Sequence, residues 1–301
     1  MGVKSISKKK TKDVPMKNNS NDLSEISKES SSLKKGKSKK MLRWNTRCMF
    51  CLVPSILGLI VFFLIPFARV LYYSVINNQF QRKFVWFDNY IKTLSNEFFQ
   101  LAMKNSLLLI VVGVSILVVL AVILSFLLGF GLKKFSFLRD AFIFPMLVPT
   151  AAIVLVWQQF FSGLDSVLPV YLLFIWKNIG ICIILLTSAI TTISPEIYEA
   201  ARMDGAGAMI MHWRLTIPIL APAVFFTVLL SIMNSFRIFK ESFLYFGSKY
   251  PPDYGYTLQF YLNNNFLKFD YQTLASSSVL TALLVLVIVA VGFMLQKRYE
   301  V

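Results

Sequence analysis

From about residue 48 onward the chain alternates between long apolar runs and short polar segments. About 20 apolar residues carry a helix across a hydrocarbon layer roughly 30 Å thick. Six stretches reach that length: Cys48 to Tyr72, Ser106 to Phe130, Asp140 to Phe161, Leu168 to Ile193, Ile217 to Phe239 and Thr273 to Leu295. Pro54 and Pro66 fall inside the first, and Pro145 and Pro149 inside the third. Proline does not veto such helices, because in a membrane neighbouring helices and waters satisfy the backbone groups it frees. The pattern predicts an all-α membrane protein with six transmembrane helices.

The first 47 residues break the pattern. They are rich in Lys, Ser and Asn, and residues 1–40 contain no aromatic residue. Such a segment buries too little apolar surface to offset its chain entropy, which predicts a basic disordered tail over 1–47. Composition sharpens the division. The 301 residues are 56% hydrophobic and only 15% charged, with a net charge of +16. A soluble domain carries about 25% charged residues. The tail alone holds 14 basic and 4 acidic residues, a net +10, so the rest of the chain is only mildly basic. Without an aromatic or helical reading surface, the tail points to topology rather than to nucleic acid. Gly36-Lys37-Ser38 looks like the end of a phosphate-binding loop, but Ser31 stands where its first glycine is needed. Three Cys and one His exclude a disulfide scaffold and a multi-histidine metal centre. Cys48 and Cys51 read as structural thiols, and His212 with Asp204 eight residues away forms no catalytic cluster. Neither catalytic residues, a metal nor a cofactor is expected.

Orientation follows from Lys and Arg. With six spans and a cytoplasmic N-terminus, inner segments hold the tail cations, Lys133, Lys134, Arg139, Arg202, Arg214, Lys297 and Arg298. Outer loops hold Arg82, Lys83, Lys92, Lys249 and Lys268. Both termini are therefore expected in the cytoplasm, in a multi-pass protein of a prokaryotic cell membrane.

The fourth connection, 194–218, has chemistry of its own. Ser194 can cap a helix with Pro195 at its first position, and Glu196 and Glu199 lie near the positive end of its dipole. Ala200 and Ala201 offer a flat surface to a partner, and Gly205 and Gly207 permit a turn. Together they describe a short docking helix on the membrane face.

This stretch resembles the EAA loop of the permease subunits of ATP-binding-cassette importers. There Glu-Ala-Ala is followed by three residues, Gly, nine residues and Ile-x-Leu-Pro. Here Glu199-Ala200-Ala201 is followed after three residues by Gly205, and nine more lead to Leu215-Thr216-Ile217-Pro218, with Ile and Leu exchanged. Asp204-Gly205-Ala206 is similar to the carbohydrate-uptake branch, as are Phe84 to Tyr90, Asn105-Ser106, Pro145 to Pro149 and Trp176-Lys177. The resemblance implies the type I importer permease fold and a role for Glu199, Ala200, Ala201, Asp204, Gly205 and Pro218 in coupling to separate ATP-binding cassette ATPase subunits. It further implies a second homologous permease subunit and an extracytoplasmic solute-binding protein. The domains expected are the tail 1–47, a first helix with an extracytoplasmic segment over 48–104, and a permease core over 105–296. The short connection between the third and fourth helices departs from the branch, as does Phe246-Gly247-Ser248-Lys249-Tyr250-Pro251-Pro252 in place of its Thr-Gly-Gly-Pro pattern.

Polar groups inside spans are functional candidates because lipid does not solvate them. Asn234, Arg237 and Glu241 share a helix face and could hydrogen-bond sugar hydroxyls, with Phe236 or Tyr245 stacking on a ring. The competing expectation is that Arg237 and Lys240 snorkel to the interface and pair with Glu241. Lys177 either faces the pathway or sits at headgroup level if its helix begins later. The substrate expected is a sugar or oligosaccharide. A non-sugar solute such as a glycerol phosphate is the alternative, and a secondary transporter is a more distant one.

Overall fold

The computed structural model describes residues 52–78, 80–130 and 136–297. The tail with Gly36-Lys37-Ser38, the pair Cys48 and Cys51, and Lys133, Lys134 and Arg298 lie outside them. The chain divides into two units, Met1–Phe67 and Ala68–Val301.

Helix α1 runs over Leu52–Ser74. Within it Ile60–Leu64 winds as a π-turn, in which Ile65 N–H bonds the Ile60 carbonyl. Pro66 follows directly and has no N–H to give, so the widened turn sits where the ordinary ladder fails. The same arrangement recurs at His212–Thr216, where Ile217 N–H reaches His212 O and Pro218 follows.

In the larger unit, α2 (Asp88–Leu94) precedes α3 (Glu97–Gly129). Helix α4 (Ser136–Leu147) meets α5 (Thr150–Phe160) at a sharp break. Next come α6 (Leu168–Thr191), α7 (Pro195–Met203), α8 (His212–Phe246), α9 (Leu258–Leu267) and α10 (Tyr271–Lys297). Among the described residues five helices are long and apolar enough to cross a membrane, and a sixth crossing requires the bent α4–α5 pair.

That pair corrects one expectation. Asp140 to Phe161 is not one rod, because Ala141–Leu147 and Thr150–Phe160 meet at 109°. The residue before a proline avoids helical geometry, and Pro149 itself is extended at φ −55 and ψ 128. Pro145 stays within α4. Two spans are also longer than expected. Helix α3 begins at Glu97 rather than Ser106, because the Asn96 side chain accepts from Phe99 N–H at 3.1 Å and caps it. Helix α8 continues past Phe239 to Phe246, with only a local break at Ile238.

The core forms where α3, α6 and α8 cross, from Leu109, Val114, Leu117, Phe174, Ile183, Leu186 and Ile232. Helix α4 lies so close to α6 that a Cβ on Gly180 would stand 2.1 Å from the Phe142 carbonyl oxygen. The outward faces remain apolar, as at Val119, Leu286 and Val287. Water would not tolerate so much exposed hydrocarbon, whereas lipid does. At one end the connections knit together. Asn105 Nδ2 donates to Asp253 O at 2.6 Å and Tyr256 O at 2.8 Å, while Ser106 Oγ accepts from Leu258 N–H at 2.9 Å. Tyr254 donates to Asp165 at 2.5 Å. Helix α7 lies at the opposite ends of the long helices.

Candidate coupling loop and transmembrane cavity

The loop before α8 is built by its caps. Ser194 Oγ accepts from Glu196 N–H at 3.4 Å, and Pro195 occupies the first turn, where its missing N–H is not needed. The other end closes as a Schellman motif. Gly205 N–H bonds Arg202 O at 3.0 Å, and Ala206 N–H bonds Ala201 O at 3.0 Å. That geometry needs a left-handed residue at the closing position, and Gly205 supplies φ +80. A Cβ there would meet nothing within 4 Å, so conformation rather than space requires the glycine.

These caps set Glu199, Ala200 and Asp204 on an exposed surface with Arg202, Met203 and, beyond the turn, Ile210 and Trp213. One residue ties the helix down. Tyr198 packs on Ile190, Ile193 and Leu220, and its hydroxyl lies 3.2 Å from Thr216 Oγ1. Thr216 is fully buried two residues before Pro218. The two limbs of the motif are thus joined by a contact between residues 18 apart, and α7 hangs from the start of α8.

The second feature is a cavity of about 310 Å³ between α6 and α8, closed on one side by Met146 of α4. Lys177, Asn234, Arg237 and Glu241 all line it. Helix α6 begins at Leu168, so Lys177 stands well inside the helix and faces the cavity. The local pairing of Glu241 with Lys240 or Arg237 does not form. Glu241 instead makes an ion pair with Lys177, whose Nζ also donates to Thr150 Oγ1 at 2.9 Å. Three helices are joined at this point, because Thr150 opens α5 at the proline break.

Glu241 is buried, and its Oε2 has no hydrogen-bond partner. Asn234 donates to Asn178 Oδ1 at 3.0 Å, and Asn178 in turn donates to Phe174 O at 2.8 Å. The wall therefore presents the Lys177–Glu241 ion pair, an amide pair and a guanidinium around an apolar floor of Leu173, Phe174 and Ile181. Such a surface can hydrogen-bond a polyhydroxylated solute.

Phe236 does not line this cavity. It packs toward Phe239 and Phe246 and borders a small space near Ser106 and Leu109. The helix turns it away, since it stands two residues from Asn234, some 200° around the axis. Tyr245 packs beside Ile153 and Leu173. Asn178 and Thr150 were missed in the sequence. An amide directly after Lys177 was a usable signal, but nothing local shows that Thr150 meets a lysine 27 residues away.

Residues 121–300 match the family of binding-protein-dependent transport system inner membrane components. The arabinooligosaccharides transport system permease protein AraP of Halalkalibacterium halodurans is 30% identical, over 69% of this chain and 74% of that protein. The lactose transport system permease protein LacF of Rhizobium radiobacter is 27% identical, over 81% of this chain and 90% of its own length. Among solved structures, a chain of a bacterial ABC transporter that imports the acidic polysaccharide alginate superposes with a TM-score of 0.68. It is 20% identical, with coverage of 87% of this chain and 99% of that one, and shares the fold. Six apolar segments, a capped helix between α6 and α8 and a match spanning more than half of the chain converge on one conclusion: the protein belongs to the binding-protein-dependent transport system inner membrane components, as a multi-pass permease subunit of the ABC-importer type.

Proposed function

We propose that this chain forms half of the translocation pathway of an ATP-driven importer for a sugar or oligosaccharide. A separate ATPase docks on α7, a second homologous permease completes the pathway, and an extracytoplasmic solute-binding protein delivers the substrate at the opposite end. Both termini then lie in the cytoplasm, as the Lys and Arg distribution favours. The observation that carries the reading is the exposed helix Pro195–Met203, closed by Gly205 and tethered through Tyr198 to the start of α8. A push on that helix passes directly into α8, and α8 carries Asn234, Arg237 and Glu241 at the cavity. The relatives named for arabinooligosaccharides and lactose support a carbohydrate substrate.

The cavity chemistry agrees with that substrate class. Asn234 can accept from sugar hydroxyls and Arg237 can donate, while Lys177 pairs with Glu241 in the same wall.

The test is reconstitution with candidate ATPase, second permease and binding protein, followed by sugar-stimulated ATP hydrolysis and uptake. Stimulation is expected in the complete complex and loss of uptake with normal insertion in Glu199→Lys. Uptake by this chain alone, driven by an ion gradient, refutes the reading.

A further inference from the structure

The segment between α1 and α3 has its polarity reversed with respect to an aqueous loop. In α2 two polar side chains point inward, Asn89 at 9% exposed and Thr93 at 2%, while Asp88 and Lys92 stay at the surface. Asn89 Nδ2 donates to Ser74 O at 2.9 Å and Ile76 O at 2.8 Å, while Thr93 Oγ1 lies 2.7 Å from Ser276 Oγ on α10. The apolar side chains point outward, with Phe87 69% exposed, Ile91 62% and Phe98 63%. Residues 87, 91 and 94 recur at helical spacing and give α2 an apolar stripe on its free side, and Phe98 is a further exposed aromatic at the start of α3. A helix bathed in water would turn this pattern round.

The turn that leads into α2 is also aromatic. Phe80, Phe84 and Trp86 are exposed, and Phe84 lies 6.2 Å from Tyr72 and 6.0 Å from Trp86, centroid to centroid. Arg82 and Trp86 hold φ of +52 and +50, so this shape is imposed by the fold rather than chosen by the chain. Arg82, Lys83 and Lys92 are the cations here, and Asp88 pairs with Lys92 at 2.6 Å.

Depth is given by α3. Its free side presents Glu97, Gln100 and Lys104, then Leu108 and Val111, so the hydrocarbon boundary lies near Lys104. Phe98 stands six residues earlier, about 9 Å along the axis. Interfacial helices bury their apolar faces roughly 5–10 Å deep around the headgroup and acyl boundary. The loop also continues directly from the end of one span, at Ser74, and rests on the second turn of another, at Ser276.

We propose that residues 77–98 form an interfacial anchor that seats in the headgroup layer on the face opposite α7 and binds anionic phospholipid. Phe87, Ile91, Leu94 and Phe98 lie among the headgroups, the aromatic turn occupies the belt where such rings concentrate, and Arg82 and Lys83 meet lipid phosphates. The anchor fixes the end of α1 against α10 through Asn89 and Thr93 and is independent of what the subunit transports.

Nitroxide labels at Ile91→Cys and Leu94→Cys, in the full chain with its native cysteines replaced by serine, test this in nanodiscs. Power saturation is compared for oxygen, which partitions into lipid, and a nickel chelate, which stays in water. Oxygen collisions are expected to exceed nickel collisions at 91 and 94, with the reverse at a Met203→Cys control. Nickel exceeding oxygen at 91 and 94 overturns the anchor. Replacing phosphatidylcholine by a mixture with phosphatidylglycerol should raise the oxygen-to-nickel ratio, and Arg82→Gln with Lys83→Gln should abolish that rise. A rise unaffected by the double substitution, or absent in the parent, overturns the anionic preference. Shielding from nickel that appears only when a solute-binding protein is added reassigns the surface to protein docking.

Discussion

Gly205 offers the most direct test of how the exposed helix acts. In the left-handed region a residue with a Cβ is disfavoured by about 1–2 kcal/mol. The space around Gly205 is open, so alanine meets that conformational penalty and no clash. A difference of about 1.4 kcal/mol is a factor of ten in an equilibrium, so Gly205→Ala should lower the population of the closed turn roughly five- to thirtyfold relative to frayed forms. Asparagine adopts this geometry more readily than alanine. Proline cannot, because its φ is held near −65° and it loses the N–H that bonds Arg202 O at 3.0 Å. The assay is substrate-stimulated ATP hydrolysis in the assembled complex, with membrane insertion measured in parallel. Activity is expected to fall in the order Gly, Asn, Ala, Pro at equal insertion. Equal loss for all three substitutions would show that the site reads side-chain volume at a protein contact and not backbone shape. Full activity in Gly205→Pro would remove the turn from the coupling mechanism altogether.

Three further outcomes are expected. Lys177→Met strands the buried Glu241 carboxylate and should destabilise the fold by about 3–5 kcal/mol; Lys177→Met with Glu241→Gln should recover most of it, read as thermal unfolding in detergent in a double-mutant cycle. Gly180→Ala places a Cβ against the Phe142 backbone, so α4 must move away from α6, at about 1–3 kcal/mol; an unchanged melting temperature would contradict the close approach. Burial, followed by the hydrogen bond to Asp165, pushes the Tyr254 phenol from 10.0 up to about 12. The fold thus favours the neutral phenol, its contribution is complete below pH 10 and is lost as pH rises toward 12; Tyr254→Phe should flatten that part of the pH–stability curve.

Some of the site was legible because its signal is local. Ser194, Pro195, Glu199 and Gly205 encode a helix start, a face and a stop within twelve residues, and capping depends only on neighbours along the chain. The spans were legible because lipid demands a long apolar helix from each crossing, whatever surrounds it. The boundaries were not. Asn96 and Phe246 extend their helices beyond the apolar run, since a helix ends where its backbone groups find caps rather than where hydrophobicity stops.

What the sequence determined by itself is therefore the number of apolar segments, the short exposed helix with its caps, and the separation of a basic tail from a lipid-solvated body. The tertiary structure decided the rest. It bent the third segment by 109° at Pro149 and thereby brought Thr150 to Lys177. It paired Lys177 with a carboxylate 64 residues away instead of leaving Glu241 to its helical neighbours. It turned Phe236 out of the cavity and set α2 with Asn89 and Thr93 inward. Each of these depends on which helices cross and at what depth. A buried charge takes its partner from whatever the crossing brings within reach, and that distance is not written in any local run of residues.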